Sequence, residues 1–215
     1  MTFDEALAYS LEHKPKSIYL GGKTSTGKST FAHRLKDSLD YHILDLDQIV
    51  FHEVVKARDL PDGGSVFVHV YKLRERLDWI HDFILAAQAR IELATQQGEK
   101  LILEGAVANP ETLLELLAMV PGVTFFYFHP RNLDVYERNL TNRFMLTKKN
   151  SNAGLPQQFW QLVNNRDFEQ FCTDHVLTDG LKQNIHQYAL VSQQDSEKRL
   201  SEQSKTISGI ILINI

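Results

Sequence analysis

Eight consecutive residues, Gly22-Lys23-Thr24-Ser25-Thr26-Gly27-Lys28-Ser29, match the pattern G-x-x-x-x-G-K-[ST] at every fixed position. Each residue type answers a chemical need. Glycines let the backbone curl until successive N–H groups point inward at phosphate oxygens. Lys28 is a point charge able to follow the β- and γ-phosphates, and the Ser29 hydroxyl can ligate Mg²⁺. A helix that begins there, with Thr30 in its first turn, directs its positive dipole end at the anion. The expected ligand of residues 22–30 is therefore the triphosphate of ATP, with GTP also admitted, together with Mg²⁺.

Carboxylates follow at strand ends. Asp45 and Asp47 lie two apart, so in an extended strand both would leave on the same face. One could accept the proton of a substrate hydroxyl while the other holds Mg²⁺ through water. The alternative is that Asp47 only caps a helix beginning at Gln48. Glu104 follows the apolar run Leu101-Ile102-Leu103 and precedes Gly105. It can organise the metal, giving Ser29, Asp45 and Glu104 as the expected ligand set, or it can simply face solvent.

These residues need elements to hold them. Thr2-Phe3-Asp4-Glu5 reads as a capping box opening an amphipathic helix. Ser17-Ile18-Tyr19-Leu20 reads as a buried strand entering the glycine loop, and residues 28–39 as the helix after it, with Phe31, Leu35 and Leu39 on one face. Further strands are expected at Tyr41–Leu46, Lys100–Leu103, Val123–Phe128 and Gly209–Ile215. The fourth is apolar throughout, as a strand covered on both faces should be. Strands separated by helices imply right-handed crossovers and a mostly parallel sheet. Leu73, Leu77, Ile80, Ile84, Ala87, Ile91 and Ala94 step by fours and threes, which marks core packing in a long helix. Residues 147–156 are polar and contain glycine. Residues 192–206, poor in apolar side chains, read as an exposed connection.

The 215 residues suit one domain that buries its own core. A net charge of −4 and the lack of a long basic run argue against a nucleic-acid partner. No apolar stretch has the ~18 residues of a membrane span, and the N-terminus does not read as a signal peptide. A single cysteine, Cys172, excludes an intramolecular disulfide and suits a cytoplasmic location. The nine histidines are scattered without a metal-binding pair. Neither a D-x-x-G switch with N-K-x-D nor an L-S-G-G-Q-like signature stands in a suitable place, which argues against GTPases and transport ATPases.

With the glycine loop, Asp45-Leu46-Asp47, Leu103-Glu104-Gly105 and an arginine-bearing helix after the fourth strand, the chain resembles the P-loop kinases of small metabolites. The uridine kinase-like and nucleoside-monophosphate kinase-like groups are the nearest. The resemblance implies an α/β, three-layer P-loop NTPase fold with a five-stranded sheet of order 2-3-1-4-5. It implies ATP- and Mg²⁺-dependent transfer of the γ-phosphoryl group to a small-molecule acceptor, a nucleoside or nucleotide being favoured, by a monomer or homodimer. Glu104 then resembles a Walker B acid, and in some related kinases this position is the base, so its role and that of the Asp pair are exchangeable. Residues 48–99 would be a helical acceptor-binding insertion, with His52, Arg58, His69, Arg74 and Arg76 as candidate contacts. Residues 139–156 would form a lid, with Arg138 and Arg143, and more weakly Arg131, Lys148 and Lys149, reaching the transferring phosphoryl group. The chain lacks the E-R-S motif of deoxynucleoside kinases. Two other readings remain open: a nucleotide-binding regulator with little turnover, and a toxin-type kinase acting on a nucleotide-sugar.

Overall fold

The computed structural model describes residues 1–50, 78–105, 107, 110–120, 122–146, 159, 161–163 and 165–215. The candidate acceptor contacts His52, Arg58, His69, Arg74 and Arg76 lie outside them, as do Leu73, Leu77 and the 147–156 stretch with Lys148 and Lys149.

Helix α1 (Phe3–His13) opens with the expected capping box, Thr2 accepting from the Glu5 amide and Glu5 from the Thr2 amide. Strand β1 (Ser17–Gly22) leads through the glycine loop into α2 (Lys28–Leu39). Next come β2 (Tyr41–Asp45), a one-turn α3 (Leu46–Ile49), α4 (Asp78–Gln96) and β3 (Lys100–Glu104). The order continues with α5 (Pro110–Ala118), β4 (Val123–His129), α6 (Leu133–Met145), α7 (Asn165–Asp174), α8 (Asp179–Gln203) and β5 (Ile211–Asn214). The sheet order is 2-3-1-4-5 and all four pairings are parallel. No described helix is long and apolar enough to cross a membrane.

Strand alternation sorts the side chains into two cores. Ile18, Leu20, Phe126 and Phe128 face α1 and α2, where Phe31 meets Phe3, Phe126 and Phe128 at ring-centroid distances of 5.4–5.5 Å. Tyr19, Leu101, Leu103, Phe125 and Tyr127 face α4 and α5. Ile84, Ala87, Ile91 and Ala94 are buried there, and Ile80 partly so, in agreement with their spacing. Full burial of such a side chain stabilises the fold by roughly 1.5–3 kcal/mol. A third cluster joins Tyr136, Leu140 and Phe144 of α6 to Phe171 of α7 and to Leu181, Ile185 and Tyr188 of α8.

Two expectations are corrected. Strand β2 ends at Asp45, not Leu46, so Asp45 and Asp47 do not share a strand face. Asp45 caps the short helix that follows, accepting from the Gln48 amide at 3.0 Å, and Asp47 lies in its first turn. Residues 192–203 are not an exposed connection but the second half of α8, with Ser192, Ser196 and Gln203 buried. Small and polar side chains line that buried stripe, so the apolar periodicity that reveals a helix is missing there.

Candidate active site

The phosphate loop leaves β1 where bulk is forbidden. Gly22 has φ +118°, and a Cβ there would overlap the Phe128 carbonyl oxygen on the paired strand. Gly27 caps α2 at φ +90° without a side-chain hydrogen bond, and the first turn carries no acid. Helices α1, α6 and α8 have the ordinary arrangement, with Thr2, Asn132 and Thr178 capping and an acid in each first turn. Helix α2 instead opens with a buried lysine, against the usual preference for negative charge at a helix start.

Inside the loop, the Lys23 carbonyl accepts from Thr26 Oγ1 at 2.7 Å and from Lys28 Nζ at 2.6 Å. Lys28 is 8% exposed, and burial pushes its pKa down to about 8 against the opposing pull of Glu104 and Asp47. Ser25 takes φ +61°, and its Oγ is buried without a hydrogen-bond partner. Thr24 is half-buried; Ser29 and Thr30 are exposed. A buried hydroxyl without a partner beside a buried ammonium fits a polyanion.

Ser29 Oγ donates to Glu104 Oε1 at 2.5 Å. Register places Asp45 beside Glu104 across β2 and β3, and Glu104 beside Leu20 across β3 and β1. Glycine follows for a physical reason: a Cβ on Gly105, at φ +153°, would stand 2.7 Å from Leu46 Cβ and push α3 off the sheet. Asp47 is set against this cluster, and burial raises its pKa to about 6, reinforced by Asp45 and Glu104 and opposed by Lys28 and Arg143. Lys28, Asp45, Asp47, Glu104 and Arg143 therefore share one electrostatic neighbourhood at the carboxyl ends of the strands. Arg138 does not join it; it is exposed, five residues and about 140° around the helix from Arg143. Among the described residues no group of three or more His, Cys, Asp or Glu could hold a metal by itself. The pair Ser29–Glu104 fits Mg²⁺ of the kind bound through one or two protein oxygens, phosphates and water. Asp45 Oδ1 is engaged as a helix cap.

An open cleft of 620 Å³ continues along the same edge of the sheet, lined by Arg131, Asn132, Leu133, Val135, Asn214 and Ile215. The Asn214 Oδ1 atom is buried there without a partner.

Sequence reasoning missed the contribution of α8. Asp195 pairs with the Lys23 ammonium of the phosphate loop and with Arg199 Nε, the latter at 3.0 Å. One signal was present: Asp195 and Arg199 stand at i and i+4 with the acid first, the favoured order of a helical ion pair.

No family model matches the sequence, and no curated protein matches it. Solved structures similar to the chain include a sugar kinase from Janibacter sp. HTCC2649, 14% identical, covering 85% of this chain and 96% of that one with a TM-score of 0.43. Shikimate kinase from Aquifex aeolicus is 15% identical, with 85% and 98% covered and a TM-score of 0.39. Shikimate kinase from Bacteroides thetaiotaomicron is 16% identical, with 88% and 98% covered and a TM-score of 0.43. By its strand order, its wholly parallel pairing and the loop between β1 and α2, the chain has the α/β P-loop fold with the 2-3-1-4-5 sheet that its sequence implies.

Proposed function

We propose that the protein is an ATP- and Mg²⁺-dependent phosphotransferase that moves the γ-phosphoryl group to a hydroxyl or phosphate of a small metabolite, with a nucleoside or nucleotide favoured. The observation that carries this reading is the hydrogen bond from Ser29 of the phosphate loop to Glu104, in a neighbourhood where Lys28, Asp47 and Arg143 act on one another electrostatically. A loop that only held nucleotide would need the lysine but not a half-buried carboxylate of raised pKa beside it.

In this reading the amides of residues 22–30 hold the phosphates. Lys28 exchanges its bond to the Lys23 carbonyl for a phosphate oxygen. Ser29 and Glu104 would hold Mg²⁺, which when bound neutralises charge on the phosphates. Asp47 has a pKa near neutrality, as a general base operating there requires, and takes the acceptor's proton. Arg143 supplies positive charge where negative charge redistributes. We assign the base and ribose of the donor to the cleft past the ends of β4 and β5, where Arg131, Asn132 and Asn214 offer polar groups.

The test measures ADP release from MgATP with pooled nucleosides, nucleotides, sugars and nucleotide-sugars, followed by single compounds. Stimulation by one acceptor, with that acceptor gaining a phosphoryl group, supports the kinase. Tight ATP binding unstimulated by any of them would replace it with a nucleotide-binding regulator.

A further inference from the structure

Two residues of α8 fasten it to the loop end of the sheet. Gln193 Nε2 donates to the Pro130 and Arg131 carbonyls at 2.7 and 2.9 Å, just past the end of β4. Tyr127 OH donates to the Ser196 carbonyl at 3.1 Å, while Ser196 Oγ lies 3.1 Å from His129 Nδ1. Asp195 stands between these anchors, so its carboxylate is carried by a helix fixed to β4, the strand paired with β1. From that position it accepts from the Lys23 ammonium, whose side chain is only 15% exposed, and from Arg199. Lys23 is the residue whose carbonyl receives both Thr26 Oγ1 and Lys28 Nζ.

We propose that Asp195 is a positioning residue for the phosphate loop: through its ion pair with Lys23, α8 sets the backbone geometry in which the loop receives a triphosphate. The inference rests on the phosphate-loop reading. Phosphates are held mainly by main-chain N–H groups, so a loop that can sample several conformations loses part of its affinity to ordering. Tying the side chain of the second loop residue to a fixed helix removes that freedom. Asp195 is well suited to the task. Burial alone would raise its pKa, but the hydrogen bond and charge of Lys23, with Arg199, hold it below the ordinary carboxylate range.

A negative charge this near an anion site has the opposite effect if it is a bystander. Removing it would then strengthen phosphate binding, because one repulsive Coulomb interaction disappears. Positioning and bystander therefore predict changes of opposite sign. The probe is tripolyphosphate with Mg²⁺, with MgATP and adenosine alongside, titrated calorimetrically into the full chain. Asp195→Asn is expected to weaken tripolyphosphate and MgATP about 10-fold, to leave adenosine within about 2-fold, and to move the ligand-free melting temperature little, since a part-exposed ion pair contributes at most about 1 kcal/mol. The exchanged pair Lys23→Asp/Asp195→Lys should bind tripolyphosphate several-fold better than Lys23→Asp alone. Equal or tighter tripolyphosphate binding by Asp195→Asn would overturn the inference and leave the phosphate loop standing. Should Asp195→Asn fail to fold, the comparison of Lys23→Asp with the exchanged pair decides, and absence of recovery overturns it. A wild-type protein that binds neither tripolyphosphate nor ATP would overturn both this inference and the reading beneath it.

Discussion

Lys28 Nζ lies 2.6 Å from the main-chain carbonyl oxygen of Lys23, closing a ring across the phosphate loop with the ammonium almost wholly buried. Burying an ammonium costs free energy unless it is both charge-paired and hydrogen-bonded; this one has the hydrogen bond, yet burial still pushes its pKa down to about 8. The charge is thus kept at this site against the demands of stability. Lys28→Ala should retain the fold, with a melting temperature no lower than wild type by more than a few degrees. Acceptor-stimulated turnover should fall at least about 10²-fold, the scale of losing a major electrostatic stabiliser. A near-normal rate in that variant would remove the phosphate site from the account.

Asp47 should show a trade between activity and stability. Its folded-state pKa is raised from 3.8 to about 6, so the protonated form is favoured by folding and that contribution is lost as pH rises through 6. Above pH 6 the carboxylate opposes folding. Asp47→Asn is therefore expected to stabilise the protein at pH 7–8 by on the order of 1–2 kcal/mol, to change stability little at pH 4, and to lower kcat about 10²-fold or more. Chemical denaturation at the two pH values checks the sign. A variant less stable at pH 8 than at pH 4, relative to wild type, contradicts the burial argument.

The pH dependence of kcat/KM should be bell-shaped. Turnover needs Asp47 as carboxylate, lost as pH falls through about 6, and Lys28 as ammonium, lost as pH rises through about 8. The acid limb should disappear from the residual activity of Asp47→Asn while the alkaline limb stays. An acid limb unchanged in that variant would transfer the role of base to another group, with Glu104→Gln as the next variant to measure.

Of the two helix arginines, only one has a part in this arrangement. Arg143→Ala should lower kcat by about 10-fold or more, equivalent to about 1.4 kcal/mol, with ATP affinity nearly unchanged because the charge matters most in the transition state. Arg138→Ala, on an exposed face, should turn over within about 2-fold of wild type. Equal losses in both variants would mean that α6 acts as a whole rather than through Arg143.

Gly22→Ala and Gly98→Ala separate close approach from backbone strain. Both glycines have positive φ, but Gly98 has nothing within 4 Å of an added Cβ, whereas Gly22 meets the backbone of β4. The Gly98 variant should lose about 1 kcal/mol. The Gly22 variant should lose more than about 2 kcal/mol, or roughly 4–8 °C in melting temperature. Similar losses would show that β4 can yield.

Local chemistry makes most of the fold legible in the sequence. Thr2 and Glu5 announce a helix start through main-chain amides within one turn, and Phe125–Phe128 announces a strand buried on both faces by being aromatic at every position. Asp45 was misread because the strand-to-helix change occurs within one residue, and a two-residue spacing has a different meaning on either side of it. Residues 192–203 were misread because their buried stripe faces Tyr127 and His129, whose polar atoms call for serine rather than leucine.

The sequence by itself determined the phosphate loop, the acids at the ends of β2 and β3 and the alternation of strands and helices. These depend on residue types within a few positions of one another, where backbone geometry leaves few alternatives. Only the tertiary structure decided which of these groups meet. Glu104 reaches Ser29 across 75 residues because parallel pairing aligns the strand ends, and Asp195 reaches Lys23 across 172 because α8 returns to β4. Arg143 and Arg138, identical in type and five residues apart on one helix, were separated by helix rotation and burial alone. Contacts between distant segments depend on how whole layers pack, and no short spacing encodes that.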